Sequence, residues 1–563
     1  MKKIYWILFI LIFSLSVFLR VWQLNKAPVE LFGDEIDVGL QAYSISKTGK
    51  DYFGNTLPIM FHSFSEYRLP FFIYSAVPFI NIFGLNEWGV RLTGVFWGLL
   101  GIIGIFLLAK DIFNFRISII AFFLLAITPW HLQYSRQAGI ESGMLLTFII
   151  FAVWFFIKGL KKYTWLLISV LLFSLSIYVY ATALIFVVIL SICLLTLFWK
   201  DIKKQGVMKI TLLVILCFVI LIPYTNLYSS GKAGQRFSTI SIFGDKDIND
   251  EIFSRRNQEA VPFSSIFHNR FLTFGQEIGK NYLRSFSTEF LFVNGDPNLR
   301  QSVGGVGEFF IFELILILLG FYVFFKKGYK KEAKILLFWL LIAPIPSSLT
   351  KDGGYHASRL MLMLAPLVLF AALGLNYLTE QVGNIKKILL ILITGLAVLN
   401  ITIYLHRYYT EWPKDSFRFW QGGYKEAISY IKTEDLKYSR IYFNNTYEPA
   451  LPRFMFWYAY DPIKFQKVFY GSVAEKDIVP GFNGFKLEDK YYFGILNNLI
   501  EDKGFAQLMK DKELYLVSVR DEVGSADWES SPPVHLNILK KIYNPVNRKP
   551  ILFVVTKKDV KND

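Results

Sequence analysis

The chain has 563 residues, 54% hydrophobic and 18% aromatic, with only 18% charged. So small a charged share excludes an ordinary soluble domain and defines a membrane protein. The net charge of +16 does not argue for nucleic acid, because Lys and Arg fall in short clusters between apolar runs, where membrane orientation explains them. Cys193 and Cys217 lie inside apolar runs, with neither disulfide nor zinc spacing.

Residues 1–20 begin like a signal peptide, with Lys2 and Lys3 ahead of an apolar stretch. No small-x-small cleavage pattern follows, so the segment reads as an uncleaved anchor. Apolar runs able, or nearly able, to cross about 30 Å of hydrocarbon lie at 4–22, 92–109, 117–132, 138–157, 163–180, 181–199, 210–228, 309–325, 335–349, 360–377 and 388–405. They predict a polytopic α-helical protein with about 11 transmembrane helices, since lipid cannot satisfy open backbone groups. The stretch 71–83, preceded by Pro70 and interrupted by Pro78, is too short to span and reads as interfacial or re-entrant.

Lys2/Lys3, Lys110/Arg116, Lys158/Lys161/Lys162, the lysines of 200–209, those of 326–334 and Lys386/Lys387 occupy alternate connections. The positive-inside rule then puts these and the N-terminus in the cytoplasm. The outer side receives the loop 23–91, the large loop 229–307, the "KDGGYHASR" connection and everything after His406. In the tail, "SRIYFNN", "YYFGIL", "ELYLVSV" and "PILFVV" read as strands, alternating with the helical stretches "GYKEAISYIKTED" and "NLIEDKGFAQLMKD". The expected organisation is a membrane domain, 1–405, followed by an extracytoplasmic α/β domain, 406–563. Asn444-Asn445-Thr446 matches a glycosylation sequon, a pattern short enough to arise by chance.

Four clusters carry candidate chemistry. In "LFGDEIDVGLQAYSISKTG", Asp34 is expected to cap a helix ending near Gly49; a carboxylate held there is also a positioned base. Glu35 is its neighbour, and Asp37, one turn on, reads as a solvated face. In "TPWHLQYSRQAGIES", His131, Arg136 and Glu141 fall at the outer membrane edge. Arg136 reads either as an interfacial residue paired with Glu141 or as a functional cation, and Glu141 as an acid about a turn into an apolar helix, which is costly. In "FHSFSEYRLPFFIY", His62, Glu66 and Arg68 precede the interfacial stretch, and Arg68 reads either as a phosphate ligand through its planar fork or as an anchor at the interface. In "KDGGYHASRLMLMLAP", His356 and Arg359 are three apart, close enough to share a helix face. Acids and phosphate-suited cations thus converge on the outer mouth of the bundle.

The "DE" pair, "TGKDYFGNTLP", "YRLPFFIY", "FGLNEWGVRLTG", "TPWHLQYSRQAGIE" and "HASRLMLMLAP" together resemble bacterial members of glycosyltransferase family thirty-nine. This is the clan of protein O-mannosyltransferases and lipid A aminoarabinose transferases, with the GT-C membrane fold. The resemblance is carried mainly by 22–180 and extends to about 377. It implies transfer of a sugar from a polyprenyl-phosphate donor to a protein, lipid or glycan acceptor outside the membrane. It also implies that Asp34 acts on the acceptor, with Glu35 its acidic neighbour, and that Glu141 corresponds to a second site acid that is Asp in some relatives. Arg68 falls about where the aminoarabinose enzymes carry a phosphate-binding Lys just before a proline.

The chemistry agrees with that implication. A hydroxyl attacking an anomeric carbon needs a carboxylate base, and the departing lipid phosphate needs fixed positive charge. Asp34 is the expected base of an inverting displacement, with Arg68, Arg136, His356 and Arg359 as phosphate partners. A divalent metal stays open, since His62, His131 and His356 have no tight ligand spacing. The alternative, a transporter or flippase of lipid-linked sugars, would call for ionisable residues at the bilayer midplane and inverted repeats.

Overall fold

The computed structural model describes residues 2–63, 67–229, 231, 234–258, 263–380, 383–468, 474–497 and 503–558. Among them, seven helices are long and apolar enough to cross a membrane: Ile4–Val21, Glu87–Ile112, Ser142–Gly159, Ala183–Lys203, Val207–Ser229, Ala357–Glu380 and Asn384–Asp415. The other expected runs also fold as helices, but shorter ones: Phe115–Ile127, Tyr163–Ser176, Ile311–Lys327 and Lys331–Ile342. Proline explains two of the breaks. Thr128, held extended before Pro129, divides the 117–132 run into Phe115–Ile127 and Pro129–Tyr134. Pro344 and Pro346 follow the end of Lys331–Ile342.

The chain divides into two compact units. One comprises Met1–Leu24, Ile59–Phe72 and Arg91–Trp412; the other comprises Asn25–Pro58, Ile73–Val90 and Pro413–Asp563. A single cut at 405/406 therefore does not describe the chain, because two pieces of the first long loop fold with the tail.

The first unit is the helical one. Its helices Ile311–Lys327 and Leu364–Glu380 come into backbone contact through glycines: a Cβ on Gly320 would lie 1.8 Å from the Phe370 carbonyl oxygen, and one on Gly374 2.0 Å from that of Leu316. The unit also holds a hairpin of two-residue strands, β1 (Phe61–His62) and β2 (Tyr67–Arg68), pairing Phe61 with Arg68 and His62 with Tyr67. Pro70 starts the helix Pro70–Phe83 directly after it, as proline favours at a first helical position.

In the second unit a seven-stranded sheet has the order β4-β5-β6-β3-β7-β9-β8. Its strands are β3 (Arg440–Asn444), β4 (Glu475–Val479), β5 (Phe482–Leu487), β6 (Tyr491–Leu496), β7 (Glu513–Ser518), β8 (Leu536–Tyr543) and β9 (Pro550–Lys557). Central β3 runs parallel to β6 and β7, and the outer pairs are antiparallel. The four expected strands are β3, β6, β7 and β9, and the expected helices are Tyr424–Glu434 and Lys503–Leu508. Asn444, the sequon's acceptor residue, is buried, its Oδ1 accepting from the N–H and hydroxyl of exposed Thr446.

The same unit contains the helix Gly33–Thr48, which packs on Ala450–Tyr458 where Gly39 leaves room: a Cβ there would lie 2.5 Å from the Phe456 ring. Its far end is held by Gln466, whose Nε2 donates to Ser44 Oγ, Thr48 Oγ1 and the Asp51 carbonyl at 2.8–3.1 Å.

Candidate functional site

The helical unit contains a cleft of about 860 Å³ lined by Tyr67, Arg68, Glu141, Tyr180, Thr350 and Arg359 among others. Hairpin pairing and the turn into Pro70 hold Arg68, whose Nη1 lies 3.4 Å from Glu141 Oε1; both side chains are buried. Glu141 stands immediately before Ser142–Gly159 and makes no capping hydrogen bond. It is therefore not a turn inside the helix, as the sequence suggested, because the helix starts only after the "QAGI" turn. It pairs with Arg68.

Arg359 reaches the same cleft from the helix Ala357–Leu360. Its Nη1 donates to Thr350 Oγ1 at 2.7 Å and to the Lys351 carbonyl at 2.9 Å. The start of that helix is tied down by Asp296, whose Oδ2 accepts the Ala357 N–H at 2.9 Å, while Glu308 Oε1 accepts the Asp296 N–H at 3.1 Å. Burial pushes Asp296 up to about 6 and Glu308 well above the usual carboxylate range.

Four expected site residues of this unit stand outside the cleft lining. Arg136 is fully buried and spends its donors on structure: Nη1 and Nη2 on the Leu19 and Trp22 carbonyls, both at 2.8 Å, and Nε on Tyr408 Oη at 3.1 Å. It is neither an interfacial cation nor part of the cleft lining. His131 is buried with Nδ1 2.8 Å from Arg20 Nη2, and it does not line the cleft. His356 precedes the helix of Arg359, its Nδ1 2.9 Å from Ser358 Oγ, which in turn lies 3.2 Å from the hydroxyl of cleft-lining Tyr180. His62 sits in β1 against the Tyr67 ring, and Glu66 lies outside the described residues. Among the described residues no group of three or more His, Cys, Asp or Glu is arranged to hold a metal ion.

The acidic cluster belongs to the second unit. Asp34 occupies the first turn of Gly33–Thr48 and does not cap it; the cap position is Phe32, with no side-chain cap bond. The Gly33 N–H donates instead to Gln421 Oε1 at 2.9 Å. Gly49 ends the helix in the left-handed conformation, φ 70°, as expected. Glu35 and Asp37 are buried, and Asp34 alone of the three is half-exposed. Asp37 is thus not a solvated face: its Oδ1 accepts the Tyr52 hydroxyl at 2.7 Å.

Sequence reasoning missed Tyr180, Thr350 and Gln421. Tyr180 had a signal, a polar ring at the end of an apolar run; Gln421, remote in sequence from the acid, had none.

Residues 68–225 match the family model described as dolichyl-phosphate-mannose-protein mannosyltransferase. Among solved structures, ArnT from Cupriavidus metallidurans bound to undecaprenyl phosphate is similar with a TM-score of 0.50 at 12% identity, over 98% of this chain and 97% of that one. The archaeal oligosaccharyltransferase AglB from Archaeoglobus fulgidus, in complex with an inhibitory peptide and a dolichol-phosphate, is similar over 81% of this chain at 15% identity and a TM-score of 0.47. The chain spans 64% of that enzyme's length. No curated protein sequence matches the chain. The protein is a multi-pass membrane protein of GT-C fold, and its structural neighbours are GT-C glycosyltransferases.

Proposed function

We propose that the protein transfers a sugar from a polyprenyl-phosphate donor to an acceptor outside the membrane. The observation that carries this reading is the cleft on which Arg68, backed by Glu141, and Arg359 converge. Two guanidinium groups at a half-enclosed wall suit the phosphate of a departing lipid, and Glu141 holds the Arg68 fork in orientation. Below it in chain terms, the helices Ser142–Gly159, Tyr163–Ser176, Ala183–Lys203 and Val207–Ser229 line an apolar groove of about 1180 Å³. Ile185 and Tyr224 of the last two also line the cleft, so a phosphate and an isoprenoid chain find matching surfaces on the same helices.

Asp34 is the base of this reaction. It takes the proton of the acceptor hydroxyl as that oxygen bonds to the anomeric carbon; the bond from that carbon to the phosphate oxygen breaks, and the lipid phosphate leaves with the electron pair. A single displacement inverts the anomeric centre. The Lys-rich connections face the cytoplasm in this reading, with the N-terminus, and the acceptor is met on the other side.

The test uses purified protein, a panel of radiolabelled undecaprenyl-phosphate hexoses and pentoses, and a cell-envelope extract as acceptor. Wild-type protein is expected to move label into the extract. Asp34→Asn should remain folded and lose about 10²–10⁴-fold in turnover, the range for a missing general base. Movement of intact donor across vesicles without transfer would favour a flippase instead.

A further inference from the structure

The helix that carries Asp34 is attached to the tail at its first residue. The Gly33 N–H, one of the donors a helix leaves unsatisfied at its start, is taken by Gln421 Oε1. Gln421 is itself gripped: its Nε2 donates to Glu448 Oε2 at 2.8 Å, and the buried Arg453 donates to its Oε1. Its backbone has φ 56°, a left-handed conformation that non-glycine residues adopt at a cost and keep where the surroundings demand it. One step on, the same turn binds the approach to the helix, since buried Glu30 accepts the N–H of Gly423 at 2.8 Å and of Lys425 at 3.3 Å through its two oxygens. Between these anchors the Trp420 ring packs edge-on against Phe32, 5.1 Å between centroids.

We infer that Gln421, with Glu30, is a positioning residue for Asp34: the tail turn 420–425 sets the place and direction of the acid-bearing helix end. This rests on Asp34 being the base. The tail then serves turnover, and not solely acceptor recognition. A base displaced by a fraction of a hydrogen-bond length loses reach to the acceptor proton, whereas donor binding at Arg68 and Arg359 does not depend on Gln421.

The experiment compares wild type, Gln421→Ala, Gln421→Glu combined with Glu448→Gln, and Asp34→Asn in the same transfer assay with radiolabelled undecaprenyl-phosphate sugars. Amide hydrogen exchange of residues 33–37 is read in parallel. Gln421→Ala is expected to lower kcat by about tenfold to a hundredfold, the scale of a misplaced catalytic group. The donor KM should stay unchanged and exchange at 33–37 should rise. Gln421→Glu, made together with Glu448→Gln so that position 448 donates where it had accepted, keeps the oxygen that accepts the Gly33 N–H and should restore most of both. Unchanged kcat in a folded Gln421→Ala protein overturns the inference, as does a loss that follows only the folded fraction. If Asp34→Asn is inactive while Gln421→Ala is fully active, the positioning role alone fails; full turnover by Asp34→Asn overturns it together with the base assignment.

Discussion

In the helical unit the deeply buried arginines Arg20, Arg91 and Arg136 end on backbone carbonyls of the first helix and its exit: Ser16, Leu24, Leu19 and Trp22 accept from them. In the tail unit the buried acid Glu30 does the opposite, ending on backbone N–H groups. Both arrangements satisfy chain ends that apolar surroundings would otherwise leave unpaired. Arg68 differs from these three in its place: it pairs with the Glu141 carboxylate and lines a cleft wall. An arginine tied to the end of the first helix holds the fold, while one that lines open volume is placed for a ligand.

The contrast breaks most visibly at Arg68. Replacing it by Ala breaks a buried ion pair with Glu141, which should cost about 3–5 kcal/mol of stability, and donor KM should rise steeply; Arg68→Lys, which keeps charge without the fork, should recover stability better than KM. Thermal unfolding and donor titration read the two effects separately. Arg136→Ala sharpens the same contrast from the other side. It takes the Arg136 bonds from the Trp22 carbonyl and from the Leu19 carbonyl, which keeps the Tyr409 hydroxyl, with an expected loss of about 3 kcal/mol at the scale of charged hydrogen bonds, and donor KM per folded molecule should not move. A KM change without destabilisation would return Arg136 to the phosphate site.

The smallest expected effect concerns Glu30. Burial raises its carboxyl to about 7, with Gly423 and Lys425 pulling it down and Glu87 pushing it up. An acid raised in the fold binds its proton more tightly there than in the unfolded chain, so its contribution to stability is full below about pH 4.5 and declines as pH rises through 7. Glu30→Gln stays neutral, so its unfolding midpoint should gain on wild type between pH 5 and pH 8. Parallel profiles would show that Glu30 is already charged or already neutral throughout.

The helix positions were legible because hydropathy runs survive any tertiary arrangement; only their lengths changed, where Thr128-Pro129 and Pro344 break the ladder. Strands β4, β5 and β8 were not legible. Glu475, Lys476 and Asp477, or Lys540 and Lys541, carry charges that outer strands tolerate and that period-two reading discounts. The hairpin of β1 and β2 is shorter than any pattern window. Asp37 misled for a different reason: its partner Tyr52 lies across the fold, and the tail helix at Phe465 packs its ring on Tyr52.

By itself the sequence determined that the chain is a many-helix membrane protein with a mixed tail, and that Asp34, Arg68, Glu141 and Arg359 were residues to watch, because burial preferences and residue chemistry are local properties. Tertiary structure decided which cations share a cleft, that Arg136 holds the first helix, and that Gln421 stands at the start of the acid-bearing helix. These are pairings between positions tens to hundreds of residues apart, and a hydrogen bond's partner is chosen by the packing of the whole chain.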